Sequence, residues 1–315
     1  MDPVTHGLAG ALIAEAGFAQ KLGSRSRYIL TGAAMFPDID IVYRLEGLPT
    51  YIANHRALTH SFVGLIFSGA LIGAVVGKLD EERRYLPWIA ACWVALFSHQ
   101  ILDLITSYGT VVLYPFSRTR FYFDWVFILD LFLTGALLFS LIAARLKPTH
   151  ARQRAKIGLL VVSCYIAFCA FNHALAMHQL LHAAEKNRIP FQHAAAIPQP
   201  VFPLRWSGVL DAGMNYYQVP FYSFAAPQGP FQVFTKTTGS FYEQKARQSE
   251  LGVLYLWFAR YPVVDEKVRG NIHIIEFSDL RFYIKLHRFP LRKPFVLHFR
   301  IDEAGNVLES RFTRM

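Results

Sequence analysis

The sequence predicts an α-helical membrane domain, with about six hydrophobic segments of which four are long enough to span, followed by a small β-rich soluble domain. Three observations carry that expectation. Of 315 residues, 53% are hydrophobic and only 17% are charged, below the roughly one-quarter charged of a soluble chain. The apolar residues concentrate before about residue 183. Beyond it, prolines and aromatics give way to short runs that alternate polar and apolar residues, the period of half-buried strands. The expected organisation is residues 1–183 as membrane domain, 184–250 as a proline- and aromatic-rich connecting region of surface loops, and 251–315 as a small antiparallel β domain.

The first apolar stretch, Gly7 to about Ala19, would measure about 20 Å as a helix, too short for a hydrocarbon core of about 30 Å. A second, Tyr28 to about Val42, returns after Lys21, Arg25 and Arg27 and holds Pro37-Asp38-Ile39-Asp40. The two read as a short helical hairpin. Four further stretches follow: Ala57 to Leu79, Leu86 to about Ile105, Phe123 to Leu146, and about Ile157 to Leu181. Each is long enough to span with some tilt. The acidic start and Glu15 in the first apolar run argue against a cleavable signal peptide. In the last third, Gly252–Phe258, Asn271–Phe277, Leu280–Leu286 and Pro294–Ile301 read as strands, and Asp302–Asn306 as a turn before a strand from Val307 to Phe312.

The net charge is +10, but it is spread along the chain, with 15 basic and 11 acidic residues up to residue 183 and 17 and 11 after it. There is no dense Lys/Arg run interleaved with aromatics, so nucleic acid is not an expected partner. Lys21, Arg25 and Arg27, then Lys78, Arg83 and Arg84, then Arg145, Lys147, Arg152, Arg154 and Lys156 fall in three alternate loops. Alternating the spans puts all three on one side, which the positive-inside rule makes the cytoplasm. His6, Asp38, Asp40, His55, His60, His99 and Asp103 then lie at the opposite, periplasmic ends. Cys92, Cys164 and Cys169 sit in apolar segments without a CxxC spacing, which excludes a zinc ribbon or a redox motif.

Ionisable side chains at membrane depth are costly unless paired or coordinated. His99 and Asp103, four apart, share one helix face. His55 and His60, five apart, cannot do the same, so one belongs in the loop and the other in the first turn. Asp38 and Asp40 follow a proline and suit a loop or a frayed helix end. His6, Asp38, His55, His60, His99 and Asp103 are the expected metal ligands. They form a mixed nitrogen and oxygen set that fits zinc first, and also manganese or iron, better than calcium. The ligands outnumber one tetrahedral shell, so one or two ions are expected. His150, His173, His178, His182 and His193 are read as ordinary hydrogen-bonded residues, and His273, His287 and His298 as strand residues. Asp130, in an apolar segment, has no partner legible in the sequence.

Asp2-Pro3-Val4-Thr5-His6, Pro37-Asp38-Ile39-Asp40, His55-Arg56-Ala57-Leu58-Thr59-His60-Ser61 and Ser98-His99-Gln100-Ile101-Leu102-Asp103 occur in this order. Together they resemble the motifs of the YdjM/YbcI-type family of multi-pass inner-membrane, metal-dependent hydrolases. Thr106-Ser107-Tyr108-Gly109 and Tyr114-Pro115-Phe116-Ser117-Arg118 continue the resemblance, which covers about residues 1–150. More distantly that family is similar to the zinc-dependent phospholipase C and P1-type nuclease group, which implies a phosphoester substrate. In that reading Arg56 and Arg118 neutralise phosphate oxygens, and whichever of Asp38 and Asp40 is not a ligand is the general base. Tyr108, Tyr114, Phe116, Phe121, Tyr122 and Trp125 suit a membrane interface, which points to membrane lipid as partner and a lipid-linked substrate. The alternative is a non-enzymatic metal-binding membrane protein or a metal- or proton-coupled transporter. A transporter would more often show internal repeats and a midplane site.

The charge pattern predicts that both termini lie outside the cytoplasm. A reporter active only in the cytoplasm, fused after Met315, is expected to be silent, and activity would reverse the orientation.

Overall fold

The computed structural model describes residues 1–283, 285–286, 289–290 and 294–313. The chain divides into two compact units, Met1–Glu46 with Asn54–Asn172, and Gly47–Ala53 with His173–Met315.

The first unit is helical. Helix α1 (Pro3–Ile13) starts where the Asp2 side chain accepts from Thr5 N and where Pro3 occupies the first turn, a position in which its missing N–H costs nothing. A π-helical turn at Ala14–Phe18 and the short α2 (Ala19–Leu22) lead to α3 (Ser26–Met35). The chain then winds as a 3-10 helix over Phe36–Glu46, where a loop or frayed end was expected. The short α4 (Leu48–Asn54) belongs to the second unit. A 3-10 turn at Leu58–His60 precedes α5 (Phe62–Leu79), whose N-terminus is capped by Ser61. Neither His55 nor His60 is therefore in the first turn of α5. Helices α6 (Tyr85–Leu104), α7 (Leu131–Leu146) and α8 (Ala151–Lys186) follow. Asp130 caps α7 and accepts from the Tyr165 hydroxyl at 2.9 and 3.0 Å, which supplies the partner missing from the sequence reading.

Three helical segments among the described residues are long and apolar enough to cross a membrane: Phe62–Leu79, Tyr85–Leu104 and Pro148–Lys186. This corrects the expected four. The fifth hydrophobic stretch becomes helical only at Leu131, because Phe123–Asp130 is irregular. The 16 residues that remain reach about 24 Å, short of a core of about 30 Å. Phe67, Leu71, Val75 and Leu79 on α5, with Leu160, Phe168 and Phe171 on α8, are exposed, and such large apolar surfaces are what lipid covers.

Glycines set the helix spacing. A Cβ on Gly73 would lie 2.4 Å from Ile89 Cα, one on Gly77 2.8 Å from Tyr85 Cα, and one on Gly10 2.3 Å from Leu30 O. Helices α5 and α6, and α1 and α3, thus approach backbone to backbone, the small-residue contact favoured between helices in lipid. Two buried clusters complete the packing. Leu12, Leu102, Leu133, Leu137 and Cys169 belong to one, and Leu30, Ala34, Trp88, Cys92 and Ala95 to the other. The three basic loops do gather at one end. Arg84 Nη1 donates to Lys21 O at 2.7 Å, while Arg27 and Arg145 both face buried Glu15, at 2.6 and 3.7 Å.

The second unit carries two small antiparallel sheets. β1 (His193–Pro198), β2 (Arg205–Asp211), β3 (Asn215–Tyr222) and β4 (Gln232–Thr235) form a meander in that order. Residues 193–235, expected as loops, are thus largely strand. Their prolines fit because Pro220 lies on β3 beyond the stretch paired with β4, which ends at Gln218, so no ladder hydrogen bond is lost there. Helices α9 (Phe241–Gln248) and α10 (Glu250–Phe258) come next. The expected strand over Gly252–Phe258 is therefore helix. Ser249 caps it by accepting from Gly252 N, and an unbroken apolar run does not tell strand from helix by periodicity. β5 (Pro262–Arg269), β6 (Ile272–Asp279), β9 (Leu297–Asp302) and β10 (Val307–Phe312) form the second sheet in the order β10-β9-β6-β5. A separate ladder joins β7 (Lys285–Leu286) to β8 (Phe289–Pro290). Leu280–Phe282, expected as the start of a strand, is a 3-10 turn; Ile284 of that strand, and His287, read separately as a strand residue, lie outside the described residues. One sheet face packs Ile275, Phe277, Leu297, Phe299 and Ile301 against Ala246 and Tyr255 of the two helices. Gly305 N donates to Asp302 O at 3.0 Å with Gly305 at φ 86°, as the expected turn requires.

The glycine contacts predict an asymmetric response to added side chains. Gly73→Leu has backbone in its way and is expected to destabilise by about 1–3 kcal/mol or more. Gly32→Ala, with nothing within 4 Å, should be neutral or slightly stabilising. Thermal unfolding of both variants in detergent checks this, and equal midpoints would refute a close α5–α6 contact.

Candidate metal centre

The site forms where three helical segments end together. His99 and Asp103 are four apart near the C-terminal end of α6, and the i,i+4 geometry is realised, with His99 Nε2 3.4 Å from Asp103 Oδ2. His60 comes from the 3-10 turn just before α5, and its Nε2 lies 3.3 Å from Asp103 Oδ2 and 3.0 Å from His99 Nε2. Asp38 comes from the long 3-10 helix, its Oδ1 3.5 Å from His60 Nε2 and 3.8 Å from His99 Nε2. One ligand atom from each of Asp38, His60, His99 and Asp103 lies within 4.8 Å of all the others.

The 3-10 winding explains how two neighbouring carboxylates serve one imidazole. At three residues per turn, Asp38 and Asp40 project about 120° apart. Asp38 meets the Nε2 side of His60, while Asp40 Oδ2 meets its Nδ1 at 3.3 Å. Asp40 is otherwise fully engaged. It holds His55 Nδ1 at 2.7 Å and accepts from Arg56 N at 2.9 Å and from Thr59 Oγ1 at 3.1 Å.

These contacts fix how the rings face. His99 Nδ1 lies 2.7 Å from the Ala34 carbonyl and must donate to it, so its Nε2 presents a lone pair. His60 Nδ1 is tied in the same way to Asp40 and Thr59. The two Nε2 atoms therefore meet with at most one proton between them. Asp103 Oδ2 and Asp38 Oδ2 are buried without a hydrogen-bond partner. Two imidazole nitrogens and two carboxylate oxygens converging in this way form a group that could hold a metal ion. Held ring orientations of this sort accompany metal-ligating histidines.

Asp103 has a second side. Its Oδ1 is 2.7 Å from Arg56 Nη2 and 3.3 Å from His6 Nε2, and it also contacts the Met1 amino group. His6 is fully buried and stacks on His99 with ring centroids 3.6 Å apart. Arg56 is 1% exposed, donates to Thr106 Oγ1 at 3.3 Å and lies over the Tyr108 ring at 4.8 Å. Its φ of 61° is unusual for a side chain of this size. That backbone is held by Arg56 N on Asp40 and by Arg56 O accepting from Val111 N at 2.9 Å.

Of the residues singled out in the sequence, Asp38, His60, His99 and Asp103 come together as a group that could hold a metal ion. His6 and Arg56 flank Asp103, and Asp40 and His55 flank His60. Arg118 is exposed on the loop after α6. The Ala34 carbonyl and the Thr59 hydroxyl were not identified from sequence. Thr59 sits inside the His55–Ser61 motif, but nothing in a sequence points to a particular backbone carbonyl.

A sequence profile of the YdjM inner membrane protein family matches residues 1–176, more than half of the chain and all of the residues just described. The chain belongs to that family. A second similarity is to a Bacillus subtilis protein titled "Uncharacterized protein YfhP", 33% identical over 82 residues, which is 26% of this chain and 25% of the relative. The match thus spans about a quarter of that relative. No solved structure matches. YdjM membership and the apolar helices together make this a membrane protein, and its Asp/His cluster is one that could hold a metal ion.

Electrostatics give the YdjM-family site a measurable signature. Burial disfavours a charged His60, but hydrogen bonds with Asp103, Asp38 and Asp40 outweigh it and raise the imidazole to about 10. Burial likewise opposes ionisation of Asp40, yet His55 and His60 hold it far below the usual carboxylate range. Without a cation, His60 keeps a proton through neutral pH. A cation binding at its Nε2 must displace that proton, so below about pH 10 the apparent affinity is expected to rise with pH, by up to about tenfold per unit. Calorimetric titrations in buffers of differing ionisation enthalpy should register the released proton. A pH-independent affinity between about pH 6 and 8 would contradict this account of His60.

Proposed function

We propose that this YdjM-family chain is a membrane-bound, metal-dependent hydrolase acting on a phosphoester of a lipid-linked or membrane-proximal substrate. The observation that carries the reading is the convergence of His60 Nε2, His99 Nε2, Asp38 Oδ1 and Asp103 Oδ2 at the ends of apolar helices. Such a set serves Lewis-acid chemistry on a phosphoryl oxygen, with zinc the first choice and manganese or iron the others.

The residues around it divide the remaining work. Asp38 offers Oδ1 to the ligand set and keeps Oδ2 without a hydrogen-bond partner, so Oδ2 is the oxygen able to take a proton from an attacking water. Asp40 already receives four polar contacts and acts as a positioning residue that fixes His55 and His60. Arg56 supplies a permanent positive charge beside Asp103, favouring the charge that develops on transferring phosphoryl groups. Arg118 is placed for headgroup contact at the surface, on a loop whose Phe116 is 86% exposed.

Orientation follows from the basic loops, which cluster at the end of the helical unit opposite the ligands. By the positive-inside rule the site then faces the periplasm. A soluble polar substrate would gain nothing from a membrane-embedded site, whereas a lipid tail can lie along α5 while its phosphate reaches the cluster.

Turnover of one headgroup should be compared on a long-chain and a short-chain carrier. The lipid reading expects preference for the long chain; equal rates would reject it and leave hydrolysis standing. His60→Ala and Asp103→Ala are each expected to lower turnover by at least about 10²-fold, and full activity in either would reject an enzyme centred here.

A further inference from the structure

The sequence offers more ligands than one tetrahedral ion can use, and Asp103 is placed as a carboxylate that joins two ions would be. Its Oδ2 serves the His60 and His99 side, at 3.3 and 3.4 Å. Its Oδ1 faces His6 Nε2 at 3.3 Å, and both His6 ring nitrogens are buried without a hydrogen-bond partner. In two-metal centres the ions lie roughly 3.5–4 Å apart and share such a ligand. The second position is nevertheless taken. Arg56 Nη2 is 2.7 Å from that same Oδ1, which the Met1 amino group also contacts.

We propose that the Arg56 guanidinium stands where a second metal ion would bind, so that the centre holds one divalent cation and one fixed organic cation. The proposal rests on the reading that the cluster binds metal at all.

Three features keep the guanidinium in place. Thr106 Oγ1 at 3.3 Å holds one edge and the Tyr108 ring at 4.8 Å covers one face. The backbone is pinned at φ 61° by Asp40 and Val111. The side chain is 1% exposed, and arginine does not give up its proton. A divalent ion at Oδ1, the oxygen Arg56 already contacts, would meet stronger like-charge repulsion than one at Oδ2. The ligands on that side are also too few: His6 and one oxygen of Asp103 fall short of the three protein ligands that a catalytic zinc usually has. Arg56 thus supplies the second positive charge but not a second open coordination position. Its Nε, buried without a hydrogen-bond partner, remains as a donor for an anionic group.

The test is stoichiometry and spin coupling on the full chain in detergent, stripped of metal and reloaded with Mn²⁺. The expected result is one Mn²⁺ per chain with the uncoupled paramagnetic resonance spectrum of an isolated ion. Two ions per chain with a spin-coupled spectrum would overturn the proposal without using any variant. No bound Mn²⁺, or Mn²⁺ binding unchanged in both His60→Ala and His99→Ala, would instead overturn the metal reading beneath it. Arg56→His replaces the guanidinium by an imidazole, and is expected to bind two ions with coupling. Arg56→Lys keeps the charge and should remain at one. A folded Arg56→His chain that still takes one ion would show that Arg56 does not exclude the second.

Discussion

Asp103 has two carboxylate oxygens, and the surrounding chain gives each a different neighbourhood. Oδ2 meets the two imidazoles of His60 and His99, while Oδ1 meets Arg56 and His6. A carboxylate buried near the end of a membrane helix is costly unless its charge is met. Four separate stretches are shaped to meet it. Helix α6 supplies His99 one turn earlier, the turn before α5 supplies His60, the start of α1 supplies His6, and the left-handed residue between two loop hydrogen bonds supplies Arg56. A buried charged group left unsatisfied costs about 1–3 kcal/mol or more, and here each oxygen of Asp103 is met from at least two sides.

The helical packing delivers these stretches to one point. Gly69, Gly73 and Gly77 form a stripe on α5 that lets α6 approach until a Cβ would strike Trp93, Ile89 or Tyr85. Gly10 does the same between α1 and α3, and the Ala34 carbonyl near the end of α3 accepts from the His99 ring. The apolar surfaces turned outward on α5 and α8 are what a bilayer stabilises. The glycine seams are what turn a bundle of apolar helices into a scaffold with ångström-level tolerance at one end.

Much of this was legible in the sequence. The spacing of His99 and Asp103 placed them on one face, and His60 heading an apolar run placed it at a helix end. The three basic loops foretold which ends would gather. What could not be read depended on local winding. Asp38 and Asp40 look equivalent in the sequence; only a 3-10 helix, in place of a loop, sends one to the ligand set and the other to the far nitrogen of His60. Arg56 reads as a substrate-binding cation, and only a positive φ turns it inward onto Asp103. Phe123–Asp130 is apolar enough to extend a span, yet it is irregular and leaves α7 short. Gly252–Phe258 reads as a strand because a fully apolar run has no period, and residues 193–235 read as loops because a proline in the sequence does not reveal whether its position faces a paired strand.

The 3-10 segment sets helix stability against site geometry. An α-helix advances about 100° per residue and a 3-10 helix about 120°. Rewinding Phe36–Glu46 into the commoner form would move Asp38 and Asp40 from about 120° to about 160° apart, and one imidazole could no longer be gripped on both nitrogens. Substitutions that favour α-helix here would make a more comfortable backbone and a poorer site, the familiar conflict between stability and activity. The winding of Phe36–Glu46 is thus what sets two carboxylates on opposite nitrogens of one imidazole.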